Sequence, residues 1–575
     1  MRDITLNLRN DMKVLVAIAS YGKANDRYLA RVVEEYNSMP FKVDVVVLSN
    51  IPKEVAPGAR VVVVGCRGRD LPFAHKQILA DGLNHYDLFI YSEDDILVRA
   101  CSLEAFLKVS AVLPPTDIAG FLRVEVHSDG SVNYPEVHGH FHWDAGSVRS
   151  HGEYTFAFFT NEHAACYVLT REQLRRVIDS GRFLVPPHSE KYDRLCTAAT
   201  DPYTQCGLRK VVCISHLNEF LVQHLSNKYR QTSYGVDGTE LCRQVNALVR
   251  IGKSGNSPRS LFETETMLPN GWYSKSYYEP VQLGAIAAIP PEVRTVLSIG
   301  CGWGSTEVWL AKRGHSVTAI PLDPVIPGGA EAKGVEIVTG DLDEARRTLA
   351  GREFDCIFLS NALHLVPDPV AVLSSYGTLL SPGGVFLALV PHTARLRTAW
   401  KELVAAWRPA PWTAALEALL SPGGVFMPAA SKTRGLAGVW KSVREKESTN
   451  GAGARRGAKF HIVSKRTVRN WFRDAGLQVE SLTNVLRPVR ENTGRLTVTL
   501  LDRWLASEFL TVAKKVSRNP SGGQSCQDAA TGTSAVGPGT EKPTGIYRAV
   551  GLGDLAAHLW RRYRALCASA FLQLR

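Results

Sequence analysis

Three consecutive carboxylates, Glu93, Asp94 and Asp95, stand in YDLFIYSEDDILV (86–98) between two hydrophobic runs. Like charges this close raise one another's pKa and resist ionising together unless a cation or several donors join them. A metal ion answers that conflict and a solvated turn is the other answer, weakened by the apolar character of the strand before the acids and of ILV after them. Hard oxygen ligands suit magnesium or manganese, which would bridge to phosphate oxygens and offset charge on a departing nucleoside diphosphate. A second chemical stretch is VLSIGCGWGSTEVWLAKRG (296–314). Gly300, Gly302 and Gly304 let the backbone approach a ligand closely and turn tightly into a helix. Their spacing is G-x-G-x-G, and Ser305 stands where a dinucleotide fingerprint would have its third glycine.

Both stretches need strands to carry them. KVLVAIAS, KVDVVVLSN, VVVVG and DLFIYS are short, Val-rich runs ending in small polar residues, with RYLARVVEEYNSM at helical spacing between the first two. They predict a βαβ nucleotide-binding half within residues 1–250. IGKSGNSPRS (251–260) is polar and Gly/Ser/Pro-bearing, which predicts a linker. The pattern restarts with VRTVLSIG, HSVTAIPLD, VEIVTGD, FDCIFLSNALH and GGVFLALVP, a second doubly wound α/β domain at 261–500. Within it, 395–457 interrupts the strands and is expected to be an inserted lid. LLSPGGVF occurs at 379–386 and 419–426, by chance or by a local duplication. An extension and a disordered, low-complexity linker are expected over 501–545. Beyond them, 546–575 is an amphipathic helix, for a membrane surface, a docking partner or the parent domain. The fold class is α/β, with two nucleotide-binding-type domains.

The 575 residues are 45% hydrophobic and 21% charged, an ordinary globular composition. A net charge of +12 favours acidic partners, but no long basic run supports nucleic-acid binding. The 11 cysteines are scattered without a CxxC pair, as in a reduced cytoplasm. Val14–Ala19 is too short for a signal peptide's apolar region, and no stretch nears the ~20 apolar residues of a membrane span. The expected location is cytoplasmic, with the tail as the one candidate for peripheral contact at the inner membrane face.

The second domain resembles the class I S-adenosylmethionine-dependent methyltransferases. The likeness covers the loop 300–304, TAIPLD, GDLDE (340–344), FDCIFLSNALHLVPDP and LLSPGGVFLALVP at 379–391. It implies that Gly300, Gly302 and Gly304 hold the cofactor's methionine part and that Asp341 faces its adenine. The family's acid before the glycine turn is Ser298 here, and Pro321 takes the usual ribose-binding position with Asp323 two residues on. Either Asp323 substitutes through an altered turn, or the cofactor site is weakened. Methyl transfer needs chiefly in-line positioning. An alcohol acceptor would also use a base, for which His364 is the candidate.

The first domain, in its EDD form, resembles the DxD region of GT-A glycosyltransferases, like that of the N-acetylglucosaminyltransferase I family. VAIASYG is similar to the unit that binds the nucleotide base, which brings in Tyr21. The resemblance implies that Asp95 contacts the metal and that Asp94 and Glu93 contact ribose or ordered water. Lys76, after His75, would place a cation near the diphosphate. Asp201, ahead of Glu190 and Asp193, is the candidate base, and His224, ahead of His216, the late metal-side histidine. His138, His140 and His142 would share one face of an extended segment, as ligands or as an acceptor loop. Trp143 and Tyr154 would stack on sugar or sit in the core.

Together these readings predict a bifunctional enzyme: metal-dependent sugar transfer from a nucleotide-sugar, then O-methylation of a glycan or glycolipid acceptor, as in bacterial surface polysaccharide synthesis. The alternative keeps a methyltransferase with a non-catalytic glycan-binding first domain. A scaffold with degenerate sites and a nucleic-acid methyltransferase are the remaining alternatives. Oligomeric state is not legible.

Overall fold

Buried β-branched runs form the centre of the first region. Every residue of Lys13–Ser20 after Lys13 is buried, and the strand pairs in parallel with Lys42–Ser49 on one side and Leu88–Glu93 on the other. Strands covered on both faces read as such continuous apolar runs. Ala59–Val63 extends the sheet beyond 42–49, and Cys166–Thr170 closes the other edge, antiparallel to 88–93. The helix Asp26–Asn37 buries Leu29, Val32, Val33 and Tyr36, one face of a 3.6-residue period. Each such side chain contributes roughly 1.5–3 kcal/mol on burial.

The computed structural model describes residues 11–66, 68–229, 234–255, 259–268, 271, 273–394, 460–486 and 507–515. The expected lid at 395–457, the second LLSPGGVF copy, the low-complexity stretch and the tail helix lie outside the described residues. Among the described residues, no helix is long and apolar enough to cross a membrane.

In the first sheet the chain moves outward from 13–20 through 42–49 to 59–63, then returns to place 88–93 on the opposite side. The crevice beyond the carboxyl ends of 13–20 and 88–93 is therefore a topological switch point, where open α/β sheets take ligands. Glu93 ends its strand there, and Asp94 and Asp95 form the following turn. A second five-stranded sheet begins directly after this turn: Leu221–His224 pairs antiparallel with Ile96–Leu97, setting His224 opposite Ile96. The same strand runs parallel to Leu122–Val126.

The second region holds a seven-stranded sheet in the order 336–337, 316–321, 295–301, 354–360, 380–391, 507–515, 477–486. The first five are parallel, and Ser507–Lys515 is antiparallel to both its neighbours. Its switch point lies beyond 295–301, at the glycine turn. Two boundaries differ from expectation. Ser507–Lys515 belongs to this sheet and not to a trailing extension, because its alternating Phe509, Thr511 and Ala513 are all buried. The expected linker also begins too early: helix Gly238–Ser254 runs through it until Gly255, at φ 65°, stops the helix. A left-handed glycine after a last basic turn is a helix stop before it is a linker.

The two regions belong to one compact unit. Val325 of the second enters the core formed by Leu122, Trp143, Phe159 and Leu241 of the first, with Tyr278 and Trp303 packed against it.

Candidate functional site

The acidic turn is buried: Asp94 and Asp95 are only 5% and 3% exposed. Asp94 accepts from Ser20 Oγ at 2.6 Å, at the end of the 13–20 strand, and from Asn25 Nδ2 at 2.7 Å, at the start of helix Asp26–Asn37. Asp95 Oδ2 lies 3.2 Å from His224 Nε2, and His224 Nδ1 lies 2.7 Å from Glu125 Oε1. The structure thus brings together Asp95 and His224, 129 positions apart in sequence. Burial raises the Asp95 carboxyl, but hydrogen bonding and charge from His224 outweigh it and hold it below its usual value. Burial depresses His224 in turn, and its two carboxylate partners raise it overall. Glu93 has no such partner: burial, then the Asp95 charge, push it up to about 7. Asp94 is raised by burial against the hydrogen bonds from Ser20 and Asn25. Tyr21 stands beside this turn's neighbour Ser20, 58% exposed, with its ring against Gly68.

A divalent cation fits this donor set in part. Asp95 offers a carboxylate and His224 an imidazole nitrogen, at a separation a shared ion can bridge. Among the described residues no group of three metal-ligating side chains converges, so remaining ligands would come from a bound diphosphate and water.

Three expectations in this region need correction. Lys76 and Asp201, assigned to the diphosphate and to the base, are 2% and 0% exposed and form an ion pair with each other. His188 Nε2 adds a contact to the same Asp201 oxygen at 3.2 Å. The pair is internal, and Asp201 Oδ1 has no hydrogen-bond partner among the described residues. The runner-up Asp193 caps its helix by accepting from Cys196 N at 3.0 Å, and Glu190 accepts from Gln205. The histidine triplet does not share a face, because the chain turns through 135–140 and enters a strand only at Trp143. His138 contacts Pro135 O, His140 packs on Phe141, and His142 stacks on Tyr277 of the second region at 4.3 Å. Trp143 is fully buried and donates to Gln244, so it is a core aromatic.

At the second switch point, Gly300 and Gly304 both adopt φ 79°, a conformation that L side chains rarely take. Gly302 has a different reason. A Cβ there would lie 2.0 Å from Tyr277 O, so the chain's own segment crosses this glycine, fastened by Trp303 N donating to Tyr277 O at 2.9 Å. The adjoining cleft is lined by Glu279, Gly302, Gly304, Glu307 and Ser360. Asp323 Oδ1 accepts from the Val325 and Ile326 amides at 2.7 and 2.9 Å. Among the described residues its buried Oδ2 has no hydrogen-bond partner, nor has Asn361 Oδ1 at the end of the 354–360 strand.

The family model described as a methyltransferase domain matches residues 277–482. Residues 277–482 are a methyltransferase domain of the class I, S-adenosylmethionine-dependent kind. Ubiquinone biosynthesis O-methyltransferase of Xanthomonas axonopodis pv. citri is 30% identical over 155 residues, 24% of this chain and 65% of that protein. The Xylella fastidiosa protein of the same name is 35% identical over 121 residues, 20% of this chain and 49% of that one. The chain thus spans about half to two thirds of these curated relatives. A solved S-adenosylmethionine dependent methyltransferase from Mesorhizobium loti is 20% identical, covering 40% of this chain and 96% of its own, with a TM-score of 0.28.

Within the methyltransferase domain the two departures from the family pattern have local explanations. Ser298 donates to Glu307 Oε1 at 2.6 Å, so the helix after the glycine turn brings a buried carboxylate to the spot where the strand lacks one. Pro321 ends its strand, and the next residues turn so that Asp323 is buried beside the glycine loop, whose Cys301 O accepts from Leu322 N at 2.9 Å. The orphaned Asp323 oxygen suits a ligand that brings hydroxyl donors, and the domain's residues fit S-adenosylmethionine on that ground. Asp341 is also the N-cap of helix Leu342–Thr348, accepting from Asp343 N and Glu344 N, and its other oxygen accepts from Arg259. His364 is buried, and its Nε2 donates to Tyr273 O at 2.8 Å, so that nitrogen fastens a loop.

Several residues of both sites were not singled out in sequence: Glu125, Glu307, Lys275 and Glu279. Lys275 Nζ donates to Glu279 at 2.5 Å and to Ser360 O at 2.6 Å, tying the segment before the domain to the carboxyl end of the 354–360 strand. For Glu125 a signal existed, an acid two residues from Arg123 inside the short LRVEV strand, where both would point to one face.

Proposed function

We propose that the C-terminal domain transfers a methyl group from S-adenosylmethionine to an acceptor oxygen. The observation that carries this reading is the buried, half-used carboxylate of Asp323 beside a glycine turn. When bound, the cofactor supplies a methyl group already activated on a sulfonium. The chain's part is positional: Gly300 and Gly304 keep side chains away from the ligand, Asp323 accepts from its ribose, and Glu279 and Glu307 bound the cleft. Oxygen as acceptor follows the printed names of the relatives, which are O-methyltransferases. Isothermal titration with S-adenosylhomocysteine tests the reading; saturable binding lost in Asp323→Ala supports it, and no binding by the wild type sinks it.

The pairing of Asp95 with His224 supports a second activity in the first region, sugar transfer from a nucleotide-sugar. Asp95 and His224 would hold magnesium or manganese, and Tyr21, exposed at the end of the first strand, would stack on the base. Asp94 stays fastened to Ser20 and Asn25, which shapes the floor of the crevice. With both activities on one chain, the methyl acceptor is a glycan or glycolipid that the first site extends, since linkage raises its local concentration at the second. Thermal shifts with UDP, GDP, CDP and dTDP, with and without manganese, separate this from a non-catalytic glycan-binding region. A ligand at ~100 times its Kd stabilises by ~2.7 kcal/mol. A manganese-dependent shift with one nucleotide, absent in Asp95→Ala, is the expected outcome.

A further inference from the structure

The turn that carries Asp323 is held from two sides. Its amides, Val325 N and Ile326 N, donate to Asp323 Oδ1. Its carbonyls, Val325 O and Ile326 O, accept from Arg243 Nη1 at 2.9 Å and Nη2 at 2.7 Å. Arg243 comes from helix Gly238–Ser254, an element of the first region. Its guanidinium is itself oriented by Glu240, which accepts from Nε at 2.9 Å and also pairs with Nη2. A planar fork with fixed donors can hold two successive carbonyls in one geometry, which a lysine ammonium cannot. The fit is close, since a Cβ on Gly328 would stand 2.7 Å from Arg243 Nη1. The other flank of the glycine loop is tied across the same boundary, through Tyr277 N donating to Gly139 O at 2.7 Å.

We propose that Arg243 is a positioning residue for the methyltransferase site: reaching from the first region, it fixes the 323–326 turn so that the free oxygen of Asp323 is aimed at the cofactor. The cofactor site is therefore completed by a residue outside the methyltransferase domain. This rests on the reading of Asp323 as a cofactor ligand.

The test is a double-mutant cycle on the full chain, with S-adenosylhomocysteine affinity measured by isothermal titration for wild type, Arg243→Gln, Asp323→Asn and the double variant. Each single variant should bind about tenfold more weakly, and the double variant about as weakly as Asp323→Asn alone. A purely architectural contribution would make the two losses multiply, and that result, or wild-type affinity in Arg243→Gln, overturns the proposal. Glu240→Gln keeps the guanidinium while loosening its tether. If Arg243→Gln shows no cooperative thermal transition, a two- to threefold loss in Glu240→Gln supports the proposal and unchanged affinity overturns it. Absence of binding by the wild type would instead remove the methyltransferase reading, and the proposal with it. Binding that is intact in the wild type, weakened in Asp323→Asn and untouched in Arg243→Gln would remove the proposal alone.

Discussion

The two switch points of this molecule hold polar chemistry in opposite ways. In the first region each charge meets an opposite one: Asp95 with His224, His224 with Glu125, and Lys76 with Asp201, although Asp201 Oδ1 has no hydrogen-bond partner among the described residues. In the second, the glycine loop presents bare backbone, and among the described residues Asp323 is held by two amides alone, with no ion-pair partner and one oxygen free of hydrogen bonds. A buried ion pair contributes to the fold whether or not a ligand is present, because removing one member leaves an uncompensated buried charge. A half-used carboxylate contributes little until a ligand supplies the donor. The same substitution, one acid neutralised, should then be read out as stability in one region and as affinity in the other.

The largest expected effect is Asp201→Ala. Stripping Lys76 of its partner in a fully buried site should lower the unfolding free energy by about 3–5 kcal/mol, measured by urea denaturation. A variant as stable as wild type that has lost a transferase activity would restore Asp201 as a base and break the comparison. Next comes Gly302→Ala. A methyl group 2.0 Å from Tyr277 O requires the crossing segment to move, at about 1–3 kcal/mol of overpacking in the ligand-free protein. A melt unchanged from wild type would show that the segment yields freely. Asp323→Asn should differ from both. The amide oxygen can still accept from Val325 N and Ile326 N, so stability should move by less than ~1 kcal/mol. S-adenosylhomocysteine affinity should fall ~10-fold, the size of a charge-assisted hydrogen bond.

How much of this the sequence discloses depends on distance along the chain. KVLVAIAS and the glycine turn are local signals, and both sit where their patterns place them. Asp95 is legible because its apolar neighbours make three acids anomalous. The partner of a buried charge is not legible, because nothing near Asp201 points to Lys76, 125 positions away. The same gap makes Asp201 a plausible base on paper and an internal ion pair in the fold. Glu307 escapes because an acid in the first turn of a helix already has a reason to be there, the helix dipole. The polar IGKSGNSPRS stretch misleads in the other direction, since its first residues are a solvated helical turn.

The smallest effect sharpens the comparison with an ion pair left exposed. Glu336 and Arg352 form a two-pronged pair at the edge of the second sheet, with contacts of 2.8 Å on both prongs. Like Lys76–Asp201 it joins one cation to one carboxylate, here through a bidentate guanidinium, and the two side chains are 52% and 39% exposed. The Arg352 hydrogen bond, with help from Thr318, lowers the Glu336 carboxyl to about 2. A carboxylate depressed in the folded state stabilises above its unfolded pKa of about 4.3, and the gain disappears as pH falls toward 2. Solvent screening discounts that gain to ~1 kcal/mol or less. Glu336→Gln should therefore cost under ~1 kcal/mol at pH 7 in low salt, less in 1 M salt, and progressively less as pH falls from about 4 toward 2. Urea midpoints across that range measure it. A cost near that of Asp201→Ala would mean that exposure does not separate the two pairs, and that the buried one is held by something other than its charge.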